Sequence, residues 1–357
     1  MKSCTLIIAE AGVNHNGDLD MALELVDKAA LAGADYIKFQ TFNAENLTSA
    51  SAKKASYQIR NTDNTENQLE MLQQLELSVD DHVAIMSRCA KKGISFLSTP
   101  FDMESLALLT DTFALPEIKL GSGELNNAPL LLAAGRTEAK IILSTGMGSL
   151  SEVEEALGVL AFAMCREGQP ESRADFAKVL LDPAVWLVLA ERVTLLHCTT
   201  EYPASIEEIN LRAMETLRSA FGVRVGYSDH TLGEAVSLAA VALGACVVEK
   251  HFTLNRSLPG PDHSASLEPT ELASLIHGVR TVEQALGTGI KQPGPAEVAN
   301  RTMIRKSLLA TRNLPAGHLL TLDDIAVKRP GEGITPMALW NTVGTVTSRD
   351  IVEGEAL

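Results

Sequence analysis

Positive charge is scarce in this chain of 357 residues: Lys and Arg number 30 against 45 Asp and Glu, a formal net charge of -15. That balance argues against nucleic acid or an anionic membrane as a partner, since both select cationic surfaces. It does not exclude a small anionic substrate, because exposed charges are screened beyond about 8 Å at physiological salt and local lysines decide the matter. Cysteine is scarce as well. Cys4, Cys89, Cys165, Cys198 and Cys246 are odd in number, scattered and without a CxxC pair, which excludes a disulfide framework or zinc cluster and points to a reduced cytoplasm. Long apolar runs are missing too: "MKSCTLIIAEAG" reaches Glu10 after a few apolar residues, too short for a signal-peptide core or a membrane span.

What the chain does have is alternation. Short β-rich runs recur as "LIIAEAG" (6 to 12), "YIKFQT" (36 to 41), "ISFLSTP" (94 to 100), "EIKLGSG" (117 to 123), "KIILSTG" (140 to 146), "RVTLLHC" (192 to 198), "VRVGYSD" (223 to 229) and "CVVEKHF" (246 to 252). The segments between them, such as "LDMALELVDKAALAGA", carry apolar residues at helical spacing and often end at Gly. Eight βα units predict a (β/α)₈ TIM barrel, which takes about 250 residues and leaves room for a small second domain.

Two insertions break the spacing. Residues 43 to 79, with the polar run "YQIRNTDNTENQLEM", predict a flap over the strand ends; residues 165 to 191 predict an extra surface helix. The last barrel helix is expected at about 270 to 286. A Gly- and Pro-rich linker then spans 287 to 305, and a small module spans 306 to 357, giving a barrel domain of residues 1 to 286. The module has a weak internal repeat, "TRNLPAGHLL" (311 to 320) against "SRDIVEGEAL" (348 to 357).

Barrel active sites lie at the carboxyl ends of the strands. There this sequence places Glu10, then Lys38 and Gln40 on one face by period-two alternation, Lys119 with Ser122 in "GSGE", Ser144 and Thr145, "HCTTEYP", "SDH" and "EKH". A lysine buried in a strand is costly unless it meets an anion. A close Lys–phosphate pair gains about 4 kcal/mol at an effective dielectric near 20, so Lys38, Lys119 and the Ser122 turn suit a phosphate and a carboxylate. His230 and His251 close two strands joined by one apolar helix; such strands are parallel neighbours, so both imidazoles reach the same end and fit a shared metal. His197 is expected to pack in the barrel interior, and Lys250 to point between barrel and helices. "GVNHNG", with Asn14 and His15, reads equally well as a turn or as part of the site. The residues alone indicate metal-assisted addition involving an anionic phosphorylated ligand.

The motifs "IAEAGVNHNG", "GADYIKFQTF", "LSTPFD", "KLGSGE", "STGM", "HCTTEYP", "SDHT", "EKHFTL", "PGPDHSASLEP", "RKSLLA" and "KRPGEGI", in this order along the chain, resemble the sialic acid synthase family. The resemblance implies a barrel followed by an antifreeze-like (SAF) domain, and condensation of phosphoenolpyruvate with an N-acetylmannosamine-type sugar, with release of phosphate by C–O cleavage. It implies that His230 and His251 bind a divalent ion, Mn²⁺ before Mg²⁺ or Co²⁺. Lys38, Thr99, Lys119, Ser122 and Ser228 would hold phosphoenolpyruvate, and Thr200 stands in the same loop where some members carry Asn. Glu10, Gln40, Tyr202 and Asp262 would contact the sugar, with Glu249 beside the metal; Glu10, Glu249, His251 and Asp262 are the candidate catalytic groups. Arg329 of "KRPG" would complete the sugar site of a partner in a domain-swapped homodimer. The same motifs admit a legionaminic acid synthase acting on 2,4-diacetamido-2,4,6-trideoxymannose. A silent carbohydrate-binding barrel needs neither the histidine pair nor the two lysines, and a pyruvate aldolase would turn over no phosphate.

Overall fold

The computed structural model describes residues 4–49, 51–54, 58–59 and 67–357. Eight parallel strands, β1 (Leu6–Gly12), β2 (Tyr36–Thr41), β3 (Ser95–Pro100), β4 (Glu117–Leu120), β5 (Lys140–Ser144), β6 (Val193–His197), β7 (Arg224–Asp229) and β8 (Val247–His251), pair in the order β3-β2-β1-β8-β7-β6-β5-β4. β3 lies against β4 at the seam, so the sheet curls into a nearly closed (β/α)₈ barrel.

Both faces of such a sheet are covered, which is why its strands read as almost continuous apolar runs. The pleat sorts those residues into two cores. Ile8, Leu97, Ile142, Leu196 and Val247 point inward and meet as a plug. Their neighbours Ile7, Ala9, Ile37, Phe39, Leu195, Tyr227 and Val248 point outward into the larger core beneath the helices. Local signals bound those helices as the sequence predicts. Leu19–Ala32 starts where the Asp18 side chain accepts from Met21 N and stops at Gly33, whose φ of 89° suits a residue without a Cβ. Val79–Lys92 opens on a Ser78/Asp81 capping box.

The flap expected over 43 to 79 is described at its flanks, the short helices Ala44–Leu47 and Gln68–Gln73. Met71 and Leu75 pack with Val13 and Phe42, the residues just past β1 and β2, which sets these flanks over the strand ends. Much of "YQIRNTDNTENQLEM" lies outside the described residues. The second insertion forms two helices, Ala174–Val179 and Pro183–Arg192, where one was expected.

By contacts the chain divides into one unit up to Leu286 and another from Gly287 to Leu357. The stretch 287 to 305 is not a plain linker: it holds the helix Pro295–Ile304. Proline is well suited to a first helical turn, and the Glu297 carboxylate accepts from Gly294 N at 2.9 Å, so the composition that suggested a linker serves as a helix start. In the second unit β9 (Ser307–Ala310) and β10 (Ile325–Lys328) pair antiparallel. The weak repeat is a structural one. Leu314 and Ile351, at equivalent positions, exchange backbone hydrogen bonds of 2.8 Å, and the Asp350 side chain accepts from Ala316 N just as Asn313 accepts from Glu353 N, at 2.7 and 2.9 Å. Leu314, Leu320, Ile351 and Leu357 form the small core between the two halves.

Candidate active site

Two residues beyond the apolar plug, the inward positions turn polar: Ile8 gives way to Glu10, Leu97 to Thr99, Ile142 to Ser144, Leu196 to Cys198 and Val247 to Glu249. Lys38 Nζ pairs with the Glu10 carboxylate, lies 3.6 Å from Glu249 Oε2 and donates to Thr99 Oγ1 at 3.0 Å. Lys119 Nζ lies 3.6 Å from Glu249 Oε1 and donates to Leu120 O at 3.2 Å. Ser228 Oγ donates to Glu249 Oε1 at 2.6 Å. Lys38, Lys119, Glu10 and Glu249 are each 5% exposed or less, so their charges answer to one another and not to solvent.

Burial pushes the Glu10 carboxyl up to about 7, with the Glu249 charge adding and Lys38 opposing. Burial would also raise Glu249, but Lys119 and Lys38 on either side together hold it down at about 2. Lys38, despite burial, is held above its ordinary value by Glu10 and Glu249, whereas burial wins at Lys119 and lowers it. Two carboxylates of one cluster are thereby split into a fixed anion and a group that can carry a proton near neutrality.

At the rim, β7 and β8 pair Ser228 with Glu249 and Asp229 with Lys250, which sets His230 opposite His251 one step on. The ring centroids lie 5.6 Å apart, with Tyr202 at 4.2 Å from His230 and 5.3 Å from His251. His230 Nδ1–H donates to Thr199 O at 2.6 Å, leaving Nε2 as the lone-pair side, 3.3 Å from Ser228 Oγ. His251 Nδ1 is buried without a hydrogen-bond partner. Burial lowers His230 to about 4 and His251 well below its ordinary value, so both rings are neutral, the form that ligates metals. Among the described residues no group of three or more His, Cys, Asp or Glu is arranged to hold a metal ion; the pair offers two imidazoles and leaves further positions open.

A second corner surrounds Ser122, whose Oγ accepts from Gly146 N at 2.9 Å and lies 3.2 Å from Cys198 Sγ. A Cβ on Gly146 would come within 2.3 Å of Thr200 Oγ1 and 2.8 Å of Ser122 Oγ, so only glycine lets these groups converge. Thr200 Oγ1 is buried with no hydrogen-bond partner. Gln40 is half-buried on the inner face, and a Cβ at Gly12 would lie 2.9 Å from Glu10 Oε1 and 3.4 Å from Gln40 Nε2. Asp262 arrives on the loop after β8; burial raises its carboxyl to about 6 while Lys38 opposes.

That loop is held by the turn after β1. Asn14 Nδ2 donates to Phe252 O and Ser266 Oγ, both at 2.9 Å, and Asn16 Nδ2 donates to Pro259 O at 2.9 Å. The asparagines of "GVNHNG" thus clasp the loop that carries Asp262. His15 Nδ1 accepts from Gly17 N at 3.0 Å, and its ring packs against Phe39 of the outer core.

His197 does not pack in the barrel interior. It lies on the opposite face from the inward Leu196, with its ring 5.9 Å from Tyr227 and Nε2 2.7 Å from Ile209 O. The inward neighbour is Cys198, two residues on from Leu196. Gly146 was missed, because a glycine in a turn carries no mark of what approaches it. Lys250 points outward as expected, into an ion pair with Asp229. Arg329 is exposed in the second unit, just past β10.

Residues 25–291 match the model of the NeuB family and residues 305–357 that of the SAF domain. The chain is 46% identical to the N,N'-diacetyllegionaminic acid synthase of Campylobacter jejuni, over 99% of this chain and 98% of that one. It is 35% identical to the N-acetylneuraminate-9-phosphate synthase of Homo sapiens, over 95% and 87%. A crystal structure of N-acetylneuraminic acid synthetase from Leptospira borgpetersenii in complex with citrate superposes with a TM-score of 0.66 at 34% identity, covering 83% of this chain and 90% of that one.

Proposed function

From the premise that this chain belongs to the NeuB family, we infer that it condenses phosphoenolpyruvate with an N-acetylated mannose-type sugar, giving a nine-carbon acid and inorganic phosphate. The observation that carries the reading is the buried quartet of Lys38, Lys119, Glu10 and Glu249 beside two neutral facing imidazoles. Lys38 and Lys119 meet the phosphate and carboxylate, with Thr99, Ser122, Thr200 and Ser228 supplying neutral contacts. The sugar lies toward Glu10, Gln40, Tyr202 and Asp262. The acceptor must be open-chain, so that C3 of phosphoenolpyruvate forms a bond to its aldehyde carbon, whose oxygen takes up a proton, while the lysines hold the phosphate and carboxylate and positive charge develops at C2. Water then adds at C2 and phosphate leaves with the bridging oxygen. Glu10 is the group able to hold a proton near neutrality, and Glu249 the fixed anion that steadies both lysines.

His230 and His251 fit a divalent ion: one nitrogen is freed by the bond to Thr199 O, and the other imidazole has a buried nitrogen with no partner. Such an ion, when bound, supplies Lewis-acid polarisation of a carbonyl. Mn²⁺ is the ion to try first, with Mg²⁺ and Co²⁺ as alternatives. Arg329 is assigned to the sugar site of a partner subunit in a homodimer, and the reaction to the cytoplasm.

The acceptor favoured is 2,4-diacetamido-2,4,6-trideoxymannose, because identity is 46% and 42% to two legionaminic acid synthases and 34% and 35% to two N-acetylneuraminate-9-phosphate synthases. N-acetylmannosamine, the first choice from sequence, is the second reading. Phosphate release measured with each sugar separates them. The diacetamido sugar is expected to have a kcat/KM about tenfold or more higher, since a site built for a polar substituent discriminates against a sugar that lacks it; equal or reversed values reject the assignment. Phosphate release with neither sugar, but with another aldose, would move the acceptor outside both readings.

A further inference from the structure

The outer face of β7 and β8 carries a charged pair that the proposed reaction never touches. Asp229 stands opposite Lys250 in the ladder, with 3.0 Å between Lys250 Nζ and Asp229 Oδ2 and no exposure of either side chain. Asp229 Oδ1 accepts from Thr231 N at 2.9 Å and Thr231 Oγ1 at 2.7 Å, and Oδ2 accepts from Ser237 Oγ at 2.5 Å. Lys250 Nζ also donates to Thr231 O at 2.5 Å. This closed set of bonds grips the chain on both sides of His230 and ties it to the residue before His251.

The consequence follows from alternation. Fixing Asp229 outward turns Ser228 and His230 inward, and fixing Lys250 outward turns Glu249 and His251 inward. A one-residue slip between the strands would exchange the two faces. An apolar pair would fill the space at no desolvation cost, and buried ion pairs are frequently replaceable that way without loss of stability. What an apolar pair lacks is direction: it cannot tell one register from the next.

We propose that the buried Asp229–Lys250 pair is a positioning device, holding β7 and β8 in the register that sets His230 against His251 and Ser228 against Glu249. It rests on the reading of the two histidines as a metal pair. The neutral double variant Asp229→Asn/Lys250→Met leaves no orphaned charge. It is expected to fold with a Tm within a few degrees of wild type, to bind Mn²⁺ alone about 10–100-fold more weakly by titration, the scale of loss when a group that orients metal ligands is removed, and to lose kcat in step. KM for phosphoenolpyruvate should rise less than Mn²⁺ affinity falls, because Lys38 and Lys119 stand on β2 and β4, away from the change, while Ser228 and Glu249 share the disturbed register. Wild-type Mn²⁺ affinity and kcat in the folded variant overturn the proposal. If the double variant does not fold, the apolar pair Asp229→Leu/Lys250→Met, which likewise leaves no orphaned charge, gives the same readout; failure of both to fold makes the pair purely structural and also overturns it. Wild-type protein that binds no Mn²⁺ brings down the metal reading instead. The latch is then judged by ¹⁵N resonances of the His230 and His251 rings, which shift in the variant if the pair orients them and stay fixed if it does not.

Discussion

In β1, Ile8 and Glu10 face the same barrel interior two residues apart, one inside a dry plug and the other against an ammonium group. The rise between them is about 6.6 Å, and every strand that contributes to the plug makes the same change at the same step. The lower layer is packed hydrocarbon: a Cβ added at Gly226 would come within 2.7 Å of Leu196 Cδ2. The upper layer gathers like and unlike charges whose desolvation is offset only in part, as the raised Glu10 carboxyl records. One layer stabilises the barrel and the next spends some of that stability on a cavity poised for an anion. If the division is real, substitutions in the two layers must fail in different ways.

His251→Ala should give the largest functional loss. A metal's contribution to a developing charge is several kcal/mol, so turnover should fall about 10³-fold or more. Calorimetry should find Mn²⁺ binding abolished while Tm moves by only a few degrees, because the ring has no hydrogen bond at Nδ1 to lose. A loss of folding equal to the loss of turnover would erase the contrast between layers. Lys119→Met comes next. Removing one preorganised charge from an anion site costs about 10²–10³-fold, to be seen in kcat/KM for phosphoenolpyruvate with Mn²⁺ affinity unchanged; normal kinetics would remove Lys119 from the phosphate site.

Leu196→Ala tests the other layer. Truncating a buried leucine costs about 2–5 kcal/mol, a marked drop in the unfolding midpoint by denaturant titration, while kcat at a permissive temperature should stay within about threefold. Should kcat fall as far as in the lysine variant, plug and site are one mechanical unit and the division fails.

The layering also explains what was legible in the sequence. Eight βα units and the polar strand ends can be read directly, because turns, caps and the helical period are local. The shared face of Lys38 and Gln40 follows from period two. The phase of that period does not follow when both faces are apolar, and β6 shows why: in "VTLLHC" nothing marks Leu196 as inward and Leu195 as outward. The same ambiguity hides the outward turn of His197 and the inward Cys198 beside Ser122. The helix Pro295–Ile304 was hidden by proline and glycine that read as a break. The Asn14 clasp and the Asp229–Lys250 pair join residues 238 and 21 positions apart, and no local pattern announces either partner.

The smallest effect is expected in the second unit, where Asp324 is the counterpart to Glu10. Its carboxylate is covered but lies shallower, and it accepts from His318 Nε2 at 2.9 Å, from Thr321 N and Oγ1 at 2.9 and 2.8 Å, and from Arg312 Nε at 2.9 Å. The bond from His318 and those from Thr321 and Arg312 hold its carboxyl well below the usual carboxylate range. A depressed carboxyl stabilises the folded form fully above its unfolded value of about 3.9 and loses that contribution as pH falls through the folded one. Hydrogen exchange of peptides spanning 307 to 357 should accordingly show Asp324→Asn less protected than wild type at pH 6, with the gap closing toward pH 2. A gap that stays constant would mean the charge contributes nothing and the amide's geometry is at fault. A closing gap would show that the hydrogen-bonded charge itself, and not the shape of the side chain, contributes to the stability of the second unit.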